Sequence, residues 1–423
     1  MNQINNTETL MNNGMKYLFE ATHYTFPVIE KGKGCKVWDV DGKEYYDLNA
    51  GQFCMAFGHG YEPFIECVSK QMQLIWHTNT ATLTPVVFEA AEKLAKINDP
   101  ILSKTMFLST GSEANESAMR YAKFITGKNG IVSISRGYHG LTLASQAATF
   151  TGMWARPKVP LAFCVTAPDY IHSGHSVTEE EYIAYCINEV KTLFEKSNNE
   201  IAAFLMEPIL GAGGMVDIPI RYMKAVRELC DKYGVLLIFD ECQCGFGRTG
   251  EWFAYKRAGV VPDIITTAKA MGMGFAVSAV TFRDDIIKSV EGKVTNFSSH
   301  QNDPLSCAIV SFVIDEIERL NLLESNKEKG EYLLRILQQV CNQTKFLKNP
   351  RGIGLMCGFD LNDEIIENCR SFSNIFIQKL LNNGILIQST RENKTYRIMP
   401  SYLISKEEID QVGSIILKSI NEM

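Results

Sequence analysis

The pattern of apolar and polar positions changes texture along the chain. Met1 to about Asn13 is polar and is expected to be loose. Next, C-K-V-W-D-V-D-G-K-E-Y-Y-D-L sets two short β-rich runs on either side of Asp41-Gly42, which predicts a hairpin. From about Pro63, helical patterns of about ten to fifteen residues alternate with short apolar runs. F-E-A-A-E-K-L-A-K-I precedes M-F-L-S, and S-E-A-N-E-S-A-M-R-Y-A-K-F-I precedes I-V-S-I-S. I-A-A-F-L-M is followed by I-R-Y-M-K-A-V-R-E-L-C-D-K-Y, which stops at Gly234 before V-L-L-I-F. Alternation of this kind predicts an α/β chain with a largely parallel sheet covered by helices. From about Pro304 the chain turns helix-rich, with a β-like patch at G-L-M-C-G-F-D-L and a last helix after Ser405. The expected division is a large α/β domain over 60–315. A smaller domain combines residues 1–59 with residues 316–423.

Composition narrows the class. With 423 residues the chain is too long for one ordinary core. It is 46% hydrophobic and 21% charged, as soluble globular proteins are. A net charge of -6 leaves no basic excess to hold phosphates, which argues against a nucleic-acid partner. No apolar run is long enough to predict a membrane span. The start, M-N-Q-I-N-N-T-E-T-L, lacks the basic and apolar regions of a secretory signal. Twelve cysteines are scattered, several in apolar runs (Cys67, Cys186, Cys230), which predicts buried reduced thiols and a cytoplasmic location. Cys242-Gln-Cys244 has the wrong spacing for a zinc knuckle or a thioredoxin-type pair.

Candidate chemistry concentrates around F-D-E-C-Q-C-G-F-G-R-T-G-E-W, from Phe239 to Trp252. Gly245, Gly247 and Gly250 spell G-x-G-x-x-G, but Asp240 to Cys244 separate them from the preceding apolar strand. A dinucleotide site needs its glycines right after the strand, opening a helix, and no acids where the pyrophosphate lies. The glycines fit a flexible surface loop better. That reading leaves Asp240-Glu241 unexplained, at the strand edge where α/β sheets bind ligands. A structural salt bridge is the plain reading of such acids. A cationic partner stands in P-D-I-I-T-T-A-K-A-M-G-M-G-F-A, where Lys269 is flanked by alanines after an apolar strand. A lysine in such a run is costly unless paired or chemically used. A nucleophilic lysine with an acid about thirty residues upstream fits a pyridoxal phosphate enzyme, with the acid pairing the pyridinium nitrogen. Thr110, Gly111 and Ser112 then offer a phosphate site at a strand-to-helix turn, with Ser112 as the expected N-cap. R-G-Y-H-G offers Tyr138 to stack on a ring, with His139 beside it.

These motifs, read together, resemble the class III aminotransferases of the fold-type I pyridoxal phosphate superfamily. The likeness runs from about residue 20 to 420. It is carried by D-L-N-A-G-Q, G-H-G, S-T-G-S-E-A-N, G-Y-H-G, M-E-P-I, F-D-E-C-Q-C-G-F-G-R-T-G, A-K-A-M-G-M-G, R-G-I-G-L-M and R-I-M-P. The resemblance implies that Lys269 is the Schiff-base lysine and proton shuttle, and that Asp240 is the partner of the pyridinium. It implies that Gln243 bonds the ring hydroxyl, that Gly111 and Ser112 line the phosphate cup, and that Tyr138 stacks on the ring. His139 would support Asp240, Glu207 would lie at the ring's edge, and Arg397 would grip the substrate carboxylate. Ser299 stands where the family has a threonine that reaches the phosphate of a neighbouring subunit, which implies a homodimer with shared sites.

Gln52, M-E-P-I-L and S-S-H-Q-N-D-P-L resemble 2,2-dialkylglycine decarboxylase in particular. There the glutamine helps hold the carboxylate that leaves as carbon dioxide. That enzyme's serine beside the substrate is Ala212 here, and its stacking tryptophan is Tyr138. Ornithine- and GABA-type members carry a glutamate at the Ala212 position, so its absence argues against their terminal-amine specificity. The decarboxylase also binds an alkali metal ion near the position of Asp303; no metal ligand is assigned here. The activity implied is amino-group transfer from an amino acid or amine to a 2-oxo acid. Decarboxylating transamination is the alternative, a non-catalytic binding protein on the same fold comes after it, and a dinucleotide-dependent dehydrogenase comes last.

Overall fold

A computed structural model describes residues 6–22, 24, 27–151, 159–174, 176–368 and 371–423. Seven strands form the central sheet: β1 (Leu102–Leu108), β2 (Gly130–Ile134), β3 (Ala162–Val165), β4 (Ile201–Met206), β5 (Leu236–Asp240), β6 (Ile264–Thr267) and β7 (Ser278–Arg283). Their order across the sheet is β1-β7-β6-β5-β4-β2-β3. Only β7 runs against its neighbours. The unbroken apolar runs follow from burial on both faces. In β4, Phe204 and Met206 enter one core cluster, while Ala203 and Leu205 enter the other. In β5, Leu237 and Phe239 face the first cluster and Ile238 the second. Strands with two covered faces need no polar alternation.

Helix ends follow local chemistry. The helix Ile220–Tyr233 ends on Gly234, whose φ of 59° suits a residue without a Cβ. The last helix, Lys406–Asn421, opens with a capping box between Ser405 and Glu408. The hairpin at Asp41-Gly42 is present: Lys36–Asp39 pairs antiparallel with Glu44–Asp47. One expectation is corrected. The helix Gly111–Thr126 is capped by Thr110, whose Oγ1 accepts from Glu113 N at 3.2 Å, and not by Ser112. The chain turns helical two residues sooner, so Ser112 lies inside the first turn. Its hydroxyl instead accepts from Leu141 N at 3.1 Å.

Both ends of the described chain meet in one further sheet, and the C-terminal part forms another. Ile385–Leu386 runs parallel to Glu44–Asp47 and extends the N-terminal hairpin sheet. Leu347–Ile353, Met356–Leu361, Thr395–Ile398 and Gln388–Thr390 form an antiparallel sheet that carries Arg397 opposite Gln388. The glycines of R-G-I-G-L-M allow close backbone crossing. A Cβ at Gly330, within the helix Leu322–Asn342, would stand 2.2 Å from the Gly354 carbonyl oxygen. Gly330→Ala is therefore expected to lower stability by roughly 1–3 kcal/mol, the usual cost of overpacking. A drop in the thermal midpoint checks this; an unchanged midpoint would contradict the crossing.

Candidate active site

The cofactor residues Asp240, Lys269, Glu207, Tyr138, His139 and Thr110 to Ser112 lie at the C-terminal edge of the central sheet, where open α/β sheets place their ligands; Arg397 and Ser299 come from other parts of the chain. Asp240 ends β5. Lys269 follows β6 after one residue, and Glu207 follows β4 directly. Tyr138 and His139 lie in the loop after β2, and Thr110 to Ser112 join β1 to its helix. The antiparallel β7 begins at the same edge, where Ser278 Oγ donates to the Thr110 carbonyl oxygen at 2.8 Å.

Asp240 is the best-held group. Only 3% of its surface is exposed. Its Oδ2 accepts from His139 Nδ1 at 2.9 Å and from Asn115 Nδ2 at 2.7 Å. Its Oδ1 accepts from Cys242 N at 3.0 Å. Burial pushes the carboxyl pKa up, but the His139 bond and charge, Cys242 and the nearby Lys269 ammonium outweigh it and leave the group below the usual carboxylate range. A charged acid is thus fixed in a dry place beside a lysine.

Lys269 itself is half-buried and has φ of 50°, a left-handed conformation uncommon outside glycine. Backbone strain of this kind concentrates where function needs a side chain aimed. Gly111 brings the helix N-terminus against the same edge: a Cβ there would lie 3.1 Å from Cys242 Sγ and 3.5 Å from Ala268 Cβ. Thr110 uses the N–H groups of Glu113 and Ala114. Those of Gly111 and Ser112 have no acceptor among the described residues, which suits an anion at a helix N-terminus. Gln243 packs against Gly211, where a Cβ would fall 1.7 Å from its Oε1.

Glu207 is buried and accepts two backbone bonds, from Tyr138 N at 2.8 Å and Gly211 N at 3.1 Å. Burial pushes its pKa up to about 7, helped by the Asp240 charge and opposed by His139 and the two backbone bonds. A carboxyl raised from 4.5 to about 7 holds its proton longer folded than unfolded, so stability falls as pH rises through that window. Glu207→Gln is expected to flatten this fall. It should also cost roughly 1–3 kcal/mol, because the amide turns a donor toward one backbone N–H. Unfolding midpoints between those pH values, parent against variant, measure both effects. Parallel profiles would contradict the titration.

Arg397 is buried, and its guanidinium lies 4.6 Å from the Phe53 ring centroid. Its Nη2 donates to Gln388 Oε1 at 2.7 Å, and its Nε has no partner among the described residues. Burial pushes its pKa down to about 10, opposed by the Glu207 charge. Gln388 Nε2 donates to the exposed Gln52 at 2.9 Å, so one glutamine links Arg397 and Gln52. Ala212 has its carbonyl bonded by Thr390 Oγ1.

Several placements were not legible in the sequence. The stretch Asp240–Gly250 is buried throughout, so it is a packed turn and not a flexible surface loop. A Cβ at Gly245 would stand 2.8 Å from the Glu241 carbonyl oxygen, and one at Gly250 2.9 Å from Lys327 Cβ. Glu241 pins the returning chain by accepting from Ala254 N at 3.0 Å and Tyr255 N at 2.8 Å. Asn115 was missed as a site residue: it ties Asp240 to the His139 carbonyl oxygen and accepts from Thr266 Oγ1 at 2.7 Å. Its signal was the asparagine in S-T-G-S-E-A-N, facing strand ends from the first helical turn. Ser299 is exposed, on a cleft with His77 and Phe297. Asp303 is buried and lies 2.6 Å from His77 Nδ1 and 2.5 Å from His300 Nδ1.

Comparison with known proteins settles the family. The model of the class III aminotransferases matches residues 19–420. The chain belongs to the class III aminotransferases. This aminotransferase is similar to the acetylornithine aminotransferase of Archaeoglobus fulgidus, 33% identical over 92% of this chain and 94% of that one. The Methanocaldococcus jannaschii enzyme of the same name is 34% identical over 90% of each chain. Among solved structures, a Bacillus anthracis aminotransferase superposes with a TM-score of 0.90 at 30% identity, over 99% of both chains. An (S)-enantioselective omega-transaminase from Thermomicrobium roseum gives 0.91 at 28%, also over 99% of both. The fold is therefore the fold-type I transaminase fold, and the aminotransferase depends on pyridoxal phosphate. Among the described residues, no helix is long and apolar enough to cross a membrane.

Proposed function

We propose that the enzyme moves the amino group of an amino acid or amine to a 2-oxo acid such as pyruvate, with a substrate carboxylate on Arg397. The observation that carries this is the state of Arg397: a buried guanidinium with an open Nε and a neutral hydrogen-bond partner. Such a group gains most from a bidentate carboxylate. The relatives named for acetylornithine favour a terminal-amine substrate as a second reading. Alanine at position 212 argues against it, because members with that specificity place a glutamate there.

The residues present fit the cofactor. Asp240 would pair the ring nitrogen, Tyr138 would stack on the ring, and Glu207 would close its edge. Gln243 would meet the ring hydroxyl. Thr110, Gly111 and Ser112 would hold the phosphate through the free N–H groups and the helix dipole. Pyridoxal phosphate supplies an electron sink for the bond that breaks at the substrate carbon. Asp240, kept ionised by His139 and Asn115, holds a positive charge opposite it. Lys269 would hold and move the proton at the substrate carbon as general base and acid. Arg397 sets which bond faces Lys269 by fixing the carboxylate, and Gln52 offers a second, weaker carboxylate position.

A donor screen with pyruvate as acceptor, following alanine and carbon dioxide together, tests the reading. Donors with an α-hydrogen should give alanine with little carbon dioxide. 2-Aminoisobutyrate, which can react only by losing its carboxylate, should be slow. Rapid 2-aminoisobutyrate turnover with stoichiometric carbon dioxide would make the decarboxylating branch correct.

We also infer a homodimer in which Ser299 of each protomer reaches the phosphate of the other site. Its exposed position, beside a Phe297 that is 79% exposed, supports that reading. Cofactor affinity should then fall on dilution; a cofactor-saturated, fully active monomer in sedimentation would contradict it. Residues 60–315 are assigned as the cofactor-binding domain, with 1–59 and 316–423 as the smaller one. Eleven free cysteines among the described residues, most of them buried, support a reducing, cytoplasmic setting.

A further inference from the structure

The strand pair that carries Arg397 ends without its last backbone bonds. Thr395–Ile398 runs antiparallel to Met356–Leu361, with Gly358 opposite Arg397 and Cys357 opposite Ile398. Continued by two residues, that register sets Leu355 opposite Pro400. Proline has no N–H to donate, so the ladder stops there and leaves carbonyl oxygens in need of a donor. Arg248 supplies that donor from a third segment. Its Nη1 donates to the Leu355 carbonyl oxygen at 3.2 Å and to the Pro400 carbonyl oxygen at 2.5 Å. Its own carbonyl oxygen accepts from Leu355 N at 3.0 Å. Its guanidinium lies over the Tyr402 ring, 4.5 Å from the centroid, and the Tyr402 hydroxyl donates to the Phe246 carbonyl oxygen at 2.8 Å.

Arg248 is fully buried, and its Nε and Nη2 have no partner among the described residues. No carboxylate among them offsets its charge, and burial pushes its pKa down. A buried cation without a counter-charge is costly, and packing alone would be served better by an apolar side chain. What arginine adds is one nitrogen that holds two carbonyls and a flat face for Tyr402. Its place in the chain explains the use. Arg248 belongs to the packed turn that begins at Asp240, and Pro400 follows closely on Arg397. From the same turn, Gln243 Nε2 donates to Met399 Sδ at 3.4 Å. On the other side, Met399 N donates to the Leu48 carbonyl oxygen at 2.8 Å and Tyr402 N to that of Ala56 at 2.7 Å. Phe53, between those two, packs on the Arg397 guanidinium. The chain after Arg397 is therefore clamped between the Asp240 turn and the segment that carries Phe53.

We propose that Arg248 is a positioning residue for the substrate carboxylate: it caps the strand pair that carries Arg397 and fixes that guanidinium relative to Asp240. The inference rests on the Arg397 reading. Arg248 acts through the backbone of Leu355 and Pro400. Without it, two buried carbonyls lose their donor and the end of the Arg397 strand is held less closely against the turn. Carboxylate recognition then suffers, while Asp240 keeps its own bonds to His139, Asn115 and Cys242.

Two aminooxy probes test this on the cofactor-loaded enzyme. Aminooxyacetate carries a carboxylate and O-methylhydroxylamine carries none, and both react with the bound cofactor through the same nitrogen. The change in cofactor absorbance reads each rate without turnover of any substrate. The unaltered enzyme should react faster with aminooxyacetate. Arg248→Met should cut the aminooxyacetate rate about tenfold or more, the scale of a small misplacement of a binding group. It should leave the O-methylhydroxylamine rate within about twofold and the cofactor spectrum unchanged. Tyr402→Phe removes the bond to Phe246 but keeps the ring under Arg248. It should act in the same direction by a smaller factor, and it serves if Arg248→Met does not fold. Equal losses for the two probes, or no loss for aminooxyacetate, in whichever variant folds would overturn the proposal. The underlying reading fails separately: Arg397→Gln would then leave the aminooxyacetate rate unchanged.

Discussion

Lys269→Ala is expected to leave a folded protein that has lost amino transfer by more than about 10⁴-fold, since proton transfer by a positioned base alone is worth up to about that factor. The reasoning starts from position. Lys269 sits just past β6, one strand over from Asp240, on a backbone held at a φ of 50°. The residues around it, Ala268, Ala270 and Met271, are buried and give the amine no acid of its own among them. Alanine removes the group that would carry the cofactor and the base that would move the proton. It leaves the surrounding packing in place, because the turn is held by its neighbours' contacts. Turnover within a hundredfold of the parent would remove Lys269 from this role.

Asp240→Asn is expected to cost about 10²–10³ in rate, the effect of losing one preorganised charge of roughly 3–4 kcal/mol. The site shows why an amide is no substitute. Asp240 Oδ2 accepts two bonds, from His139 and Asn115, and Oδ1 accepts from the Cys242 N–H. An amide nitrogen on either side would face a donor, and the remaining oxygen carries no charge. The pyridine nitrogen would then lose the partner that keeps it protonated. Cofactor binding should weaken in the same variant, which separates this effect from a local misfolding that leaves cofactor absent altogether. A rate within tenfold of the parent would rule the role out.

Much of this is legible in the amino-acid sequence. The apolar runs of β4 and β5 announce strands buried on both faces, because nothing in I-A-A-F-L-M or V-L-L-I-F alternates. Gly234 marks a helix end that a left-handed backbone requires. Asp240 and Lys269 stand out because charge in an apolar setting is expensive. Other features are hidden for physical reasons. Which residue caps a helix depends on a two-residue difference in where the helix starts, so composition does not separate Thr110 from Ser112. The packed turn at Gly245–Gly250 depends on Lys327 and Leu323, far along the chain. Gln388 has no motif at all, and its role arises only because an antiparallel pair sets it opposite Arg397.

The central claim is that Lys269 carries the cofactor with Asp240 as its charged partner. Borohydride treatment of the loaded enzyme, followed by peptide mass analysis, tests it most directly, because reduction makes the carbon–nitrogen link to the cofactor permanent. The account predicts one pyridoxyl group per chain, on the peptide that contains Lys269, and none in Lys269→Ala. A label on another lysine, or a reducible chromophore that stays attached in Lys269→Ala, would contradict it.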